Sequence, residues 1–217
     1  MIKALIFDCW GTLFTNTQRP HPFEVFAQKL GHEISDREFL KLFEDSIMTN
    51  NRPVSENITS LLSKLNIDDT PNLINDLTDI VLGSLKAQTA YDDTIEVLNN
   101  LKKDYRLILL SNTFIEGFTN LKNNYPIDNL FELIVLSYEE NIIKPNKKLY
   151  EKILNKSGLN KNEVIMIGDN YHDDVLVANE VGIKSILLDR RGRYPDILDH
   201  KIHGLNEINQ QLMSAET

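Results

Sequence analysis

Leu5-Ile6-Phe7-Asp8-Cys9-Trp10-Gly11-Thr12-Leu13 decides how the remainder of the chain is read. The apolar run that begins with Ile2 and Ala4 carries no charge after Lys3 until it meets a carboxylate, then a glycine, then a hydroxyl. Such a run suits a short strand covered on both faces in a parallel sheet. Asp8 then stands where the strand ends. Ligands of open α/β sheets bind along that edge, which makes an acid there a candidate for chemistry. The alternative is an Asp that caps a turn before Gly11. The other strands of the chain decide between the two.

Outward from this stretch the pattern changes at once. Thr15 to Pro22 is polar and punctuated by proline, a connection that leaves one layer for another. Phe23, Phe26, Ala27 and Leu30 recur at helical spacing up to Gly31, and Ser35-Asp36-Arg37-Glu38 reads as a capping box opening a second helix through Phe39, Leu42, Phe43 and Ile47. A third helix follows Pro53, with Ile58, Leu61, Leu62 and Leu65 on one face. A fourth follows Asp69-Thr70-Pro71 through Leu73, Leu77, Val81 and Leu85. Residues 16–88 are therefore expected to form a small bundle of four amphipathic helices.

From Tyr91 helix and strand alternate. Strands are predicted at Arg106 to Leu110, Glu132 to Leu136, Glu163 to Ile167 and Ser185 to Leu188. Between them lie helices over Thr94 to Lys103, Glu116 to Lys122 and Lys147 to Lys156, and one through Val175, Ala178 and Val181 that stops at Gly182. This alternation predicts an α/β fold, a parallel sheet with helices on both faces. The polar tail after Leu212 is expected to fray.

Composition narrows the function classes. The 217 residues suffice for one sizeable domain or a domain with an insertion, and 41% hydrophobic with 25% charged residues implies a buried core. The balance of 23 Lys+Arg against 32 Asp+Glu gives a formal charge of −9, which argues against a nucleic-acid partner and leaves room for a small anionic ligand in a locally basic pocket. A single cysteine, Cys9, rules out an intramolecular disulfide and reads as a buried neighbour without a redox role. The N-terminal apolar run is too short for a secretory signal, and no segment approaches the length of a membrane span, so the expected address is the cytoplasm. The length suits a monomer or a dimer.

Setting the strand ends side by side brings Asp8, Ser111-Asn112 and Gly168-Asp169-Asn170 to one edge, with Lys144 in the loop after the third strand. Singly, Ser111 and Asp169 read as helix caps, Asp173 or Asp174 as a helix start, and Lys144 as a solvated cation. Jointly they point to a site. His21 and His32 in the helical insertion are weaker candidates for acid–base work, and Arg190, Arg191 and Arg193 read as a solvated loop.

In order and over essentially the whole chain, these residues resemble the four motifs of the haloacid dehalogenase-like superfamily of hydrolases. Asp8-Cys9-Trp10-Gly11-Thr12 resembles the nucleophile motif, Leu110-Ser111-Asn112 the second, Lys144-Pro145 the third, and Gly168-Asp169-Asn170 through Asp174 the acidic fourth. The resemblance implies a Rossmann-like core over residues 1–15 and 89–217, with residues 16–88 as the small helical cap. It also implies a magnesium ion held by Asp8, the backbone carbonyl of Trp10, Asp169 and Asp174. Phosphate would be gripped by Thr12, Ser111, Asn112 and Lys144.

The residue types make chemical sense of such a site. A carboxylate can attack phosphorus and form an aspartyl-phosphate, splitting one displacement into two, and Asp8 is placed for it. Lys144 and Ser111 would neutralise and hold the anion, and Mg²⁺ prefers oxygen ligands. One departure matters: phosphatases of this superfamily commonly carry Asp two positions after the nucleophile as the proton donor, and here that residue is Trp10. An indole exchanges no proton, so help worth about 10²- to 10⁴-fold must be absent or come from elsewhere. The loss is expected to favour esters with weakly basic leaving groups. Dehalogenases of the superfamily resemble this chain in carrying an aromatic residue there, and a metal-independent 2-haloacid dehalogenase is the alternative. Asp169 speaks for the phosphatase, because an acid beside Asp8 has an obvious use if a cation sits between them. The cap also has no Trp, and only Arg19, Arg37 and Arg52 to hold a haloacid carboxylate. A weakly active binding or regulatory protein of the same fold is the third reading.

Overall fold

The computed structural model describes residues 1–33 and 35–215. Among them are eight strands: β1 (Ala4–Asp8), β2 (Phe14–Asn16), β3 (Gln88–Ala90), β4 (Arg106–Ser111), β5 (Leu133–Leu136), β6 (Val164–Gly168), β7 (Lys184–Leu188) and β8 (Lys201–Ile202). Six of them build one sheet in the order β5-β4-β1-β6-β7-β8, every neighbouring pair parallel. The first strand lies in its middle, with Asp8 beside Leu110 of β4 and Phe7 beside Ile167 of β6. The carboxyl ends of β1, β4 and β6 therefore share one edge.

Both faces of the sheet are buried, as the continuous apolar runs predict. Leu5, Phe7, Leu107, Leu109, Ile165 and Ile167 pack into one cluster. Ala4, Ile6, Ile108, Leu110, Val164 and Met166 pack into another. Helices α5 (Thr94–Leu101), α6 (Ile115–Asn124), α7 (Ile127–Leu130), α8 (Ser137–Glu140), α9 (Lys147–Ser157), α10 (Val177–Glu180) and α11 (Ile208–Ala215) accompany these strands. The tail after Leu212 is still helical as far as Ala215, contrary to the expected fraying, and residues 216–217 lie outside the described part.

The insertion consists of α1 (Pro22–Lys29), α2 (Arg37–Met48), α3 (Val54–Lys64) and α4 (Pro71–Gly83), the four helices predicted. They surround a core of their own containing Phe26, Phe39, Phe43, Ile47, Ile58, Leu61, Leu62 and Leu77. Each such side chain gives about 1.5–3 kcal/mol on burial, and Phe114 packs against the same cluster from outside the insertion. One cap differs from expectation. Asp36 rather than Ser35 opens α2, its Oδ1 accepting the amides of Glu38 and Phe39 at 3.1 and 3.0 Å, whereas the Ser35 hydroxyl turns to Glu33. A carboxylate satisfies two amides and also meets the positive end of the helix.

Two short strands tie the layers together. β2 and β3 pair antiparallel, Phe14 with Ala90 and Asn16 with Gln88, at the point where the chain leaves the sheet and returns. No sequence signal announced them, since three residues are too few to show alternation. The helix expected before Gly182 is also irregular: Tyr171–Leu176 is a π-helical turn that runs into α10. Among the described residues no helix is long and apolar enough to cross a membrane.

Candidate active site

The buried Lys144 ammonium joins two strand ends. Its Nζ donates to Asp8 Oδ1 and to Asp174 Oδ1, both at 2.6 Å. Lys144 is only 4% exposed and Asp174 is fully buried, so solvent does little to screen the cluster. Burial by itself would drive the ammonium toward neutrality, but the carboxylates of Asp174 and Asp8 outweigh it and hold the pKa well above the usual lysine range. Asp174 is fixed from its other side, where Oδ2 accepts the amide of Asn170 at 3.0 Å. The wide π-helical turn carries this side chain back beneath the end of β6.

Asp169 completes an acidic cluster. One carboxylate oxygen each from Asp8, Asp169 and Asp174 lie within 4.8 Å of one another. Burial, followed by the charge of Asp8, pushes the Asp169 carboxyl upward, and Arg193 offsets part of the rise. Arg193 donates to Asp169 Oδ2 at 2.5 Å and to its carbonyl at 2.7 Å. Two glycines make this crowding possible. A Cβ on Gly11, whose φ is +87°, would fall 2.2 Å from Asp169 Oδ2, and one on Gly168 would fall 2.2 Å from Asp174 Oδ2. The glycine of the first motif is thus a matter of steric room for the acid of the fourth.

The donor set suits a hard divalent cation: three carboxylates, clustered and largely buried. Asp8 Oδ2 is buried without a hydrogen-bond partner, and such an orphaned oxygen needs a cation or an incoming electrophile beside it.

The structure brings some predicted residues to this place and not others. Asp8, Trp10, Asn112, Lys144, Asp169 and Asp174 all line one cavity of about 490 Å³. Asn112 spends its amide on the backbone of Lys144, its Oδ1 accepting from Lys144 N at 2.8 Å and its Nδ2 donating to Lys144 O at 3.2 Å. Ser111 and Thr12 are completely buried and are not part of the cavity wall. The strand period explains Ser111: residues 107, 109 and 111 share one face, whereas Asp8 continues the opposite face of Ala4 and Ile6. Trp10 is half-buried and its indole N–H donates to Thr113 Oγ1 at 3.4 Å.

Three features went unread in the sequence. The arginine loop is not simply solvated: Arg190 makes a two-pronged ion pair with Asp93 and lies 4.1 Å from the centre of the Tyr91 ring, and Arg193 reaches Asp169. The far side of the cavity belongs to the insertion and is aromatic, with Phe23, Phe26 and Phe43 joined by Met48 and Val81. Glu44 of α2 also faces the cavity. Its neighbours in the helix signalled this weakly, because Glu44 and Met48 form a stripe beside the buried Phe39-Phe43-Ile47 face.

Comparison with known proteins agrees with these motifs. The chain belongs to the haloacid dehalogenase-like hydrolases, whose family model matches residues 2–182. It is 24% identical over 209 residues to a glyceraldehyde 3-phosphate phosphatase of Methanopyrus kandleri, across 91% of this chain and 88% of that protein. It is 25% identical over 220 residues to (S)-2-haloacid dehalogenase 4A of Burkholderia cepacia, across 95% and 93%. Among solved structures, an aspartate-to-alanine variant of a haloacid dehalogenase family enzyme from Bacteroides thetaiotaomicron, in complex with magnesium and inorganic phosphate, superposes with a TM-score of 0.64 at 21% identity, across 87% of this chain and 95% of that one.

Proposed function

We propose that this haloacid dehalogenase-like hydrolase is a magnesium-dependent phosphatase that cleaves a small phosphomonoester through an aspartyl-phosphate on Asp8. The observation that supports this reading is the cluster of Asp8, Asp169 and Asp174, three acids against the two cations Lys144 and Arg193, with Asp8 Oδ2 left without a partner. Asp8, Asp169, Asp174 and the Trp10 carbonyl would hold Mg²⁺, which supplies charge for the phosphoryl oxygens when bound.

The chain's own residues do the rest. Asp8 attacks phosphorus, and Lys144, held charged, offsets the repulsion between carboxylate and phosphate. Asp174 orients Lys144 from a fully buried position, and Asn112 fixes the same residue through its backbone, a positioning role in place of a phosphate contact. Ser111 and Thr12 support this edge from within the core. The aromatic wall favours a substrate with an apolar organic part. Residues 1–15 and 89–217 act as the core and residues 16–88 as a cap, hinged at the β2–β3 ribbon so that closure excludes water. The enzyme works in the cytoplasm on a small molecule, as a monomer or dimer, with no nucleic acid or membrane as partner.

The dehalogenase reading draws support from Trp10, since a halide departs without a proton. Against it, none of Arg19, Arg37 and Arg52 lines the cavity; of the arginines that do, Arg193 is paired with Asp169, which leaves Arg191 of the core loop. A panel of phosphomonoesters and 2-haloacids, each with Mg²⁺ and with chelator, separates the readings. Phosphate release that chelation abolishes is expected. Chelator-insensitive halide release without phosphate release would overturn it, and turnover of neither class would leave a binding protein.

A further inference from the structure

We propose that Glu44, carried by α2 of the cap, is the general acid that protonates the leaving group and the general base that then activates water. The assignment rests on the phosphatase reading above and answers what Trp10 takes away. The indole N–H of Trp10 is engaged with Thr113, and no proton can be lent from that position.

Elimination within the cavity leads to Glu44. The titratable side chains lining it are Asp8, Lys144, Asp169, Asp173, Asp174, His21, Arg191, Arg193 and Glu44. Asp8, Lys144 and Asp174 are bound to each other, and Asp169 is bound to Arg193. Asp173 Oδ2 accepts the side-chain amide of Asn170 at 2.8 Å. His21 uses its Nδ1 to cap α1, accepting Phe23 N at 3.3 Å, and burial, followed by Arg19 and Arg191, lowers its pKa. Arginine is no acid at this pH. Glu44 makes no hydrogen bond or ion pair among the described residues and is half-buried between Phe43 and Met48.

Its surroundings raise its hold on a proton. Burial first, then the like charge of Asp173, pushes the carboxyl up to about 7, with Lys144 pulling the other way. Such a group is poised to give and take a proton near neutrality. It lines the same cavity as Asp8 but comes from α2 of the insertion and not from a strand end, and in-line attack by Asp8 sends the leaving group away from the attacking carboxylate.

The two steps balance. A carboxylate oxygen of Asp8 forms a bond to phosphorus as the bond from phosphorus to the ester oxygen breaks; the Glu44 proton passes to that oxygen and the alcohol leaves. Water then attacks the aspartyl-phosphate, one of its protons returns to the Glu44 carboxylate, and the bond from phosphorus to Asp8 breaks. The net change is ester plus water to alcohol plus phosphate. Because Glu44 sits on the cap, this acid joins the site only when the cap covers it, which couples closure to chemistry.

The test compares benzyl phosphate and 4-nitrophenyl phosphate, alike in shape but unlike in leaving-group basicity, in wild type and Glu44→Gln with saturating Mg²⁺. In kcat/KM, which reports the departure of the leaving group, benzyl phosphate is expected to lose roughly 100-fold or more and 4-nitrophenyl phosphate about threefold or less, while slowed hydrolysis of the shared phosphoenzyme makes it accumulate with either ester. Adding Trp10→Asp to Glu44→Gln should restore benzyl phosphate selectively. Equal losses of kcat/KM on both esters, or no loss on either, would overturn the assignment while leaving the phosphatase reading intact. Failure of the wild type to release phosphate from any ester would overturn both. The ratio between esters is unaffected by any loss of folded protein, so a poorly folding variant does not mask the result.

Discussion

The two walls of the cavity are built on opposite terms. On the core wall every acid named above has a partner of opposite charge or an amide, and Lys144 and Arg193 reach theirs within 2.6 Å. On the cap wall Phe23, Phe26, Phe43, Met48 and Val81 line the cavity together with one acid, Glu44, that has no such partner among the described residues. Strand ends in a hydrogen-bonded sheet hold charges in place, so the chemistry that needs fixed charge lies there. Helices of the insertion supply apolar surface, which lowers the dielectric over the charges and suits the organic part of a substrate.

The sharpest way to test this division is to remove the nucleophile. Asp8→Asn keeps the size of the side chain and leaves Lys144 paired with Asp174, so the fold is expected to persist by circular dichroism. Turnover should fall by at least about a thousandfold, with no phosphoenzyme trapped by acid quench. Retention of most of the activity would place the reaction elsewhere.

A smaller effect should come from the other wall. Met48→Ala removes roughly 1–1.5 kcal/mol of apolar contact, about tenfold in KM for a substrate with a large apolar part. It should leave kcat and the KM of acetyl phosphate nearly unchanged, because neither depends on that contact. A matching fall in kcat for both substrates would mean that the cap wall takes part in charge handling, and the contrast would fail.

The core wall was far more legible in the sequence than the cap wall, for a physical reason. Apolar runs at Leu5, Leu107 and Ile165 stop abruptly at Asp8, Ser111 and Asp169, and parallel pairing forces such stops to one edge. The period of two would also have warned that Ser111 faces away from Asp8. Helix α2 offers no comparable constraint. Its Phe39, Phe43 and Ile47 announce a buried face, but nothing local says which adjacent stripe looks across to the sheet, so Glu44 reads as one more surface acid until the insertion is folded over β1. The β2–β3 ribbon and the Arg193 contact with Asp169 are likewise set by tertiary placement and carry no periodic signal.

The smallest effect expected is one of stability, and it isolates the lone acid of the cap wall from catalysis. Glu44 has its carboxyl raised to about 7 from an ordinary value of 4.5, so the folded protein holds this proton more tightly than the unfolded chain does. Below the ordinary value both states are protonated and the group costs nothing. As pH rises through the window from 4.5 to about 7 the unfolded chain ionises first, and folding stability is lost; above it the full penalty stands. Glu44→Gln abolishes that penalty. The variant should match wild type near pH 4 and exceed it at pH 8, both measured with chelator present, by about 1–2 kcal/mol after discounting the shift for water in the cavity. Thermal unfolding of the two proteins across pH reads this as a gap of a few degrees that opens through the window. A gap that is constant with pH, or a variant less stable at pH 8, would mean that Glu44 is partnered after all and that the two walls are not opposites.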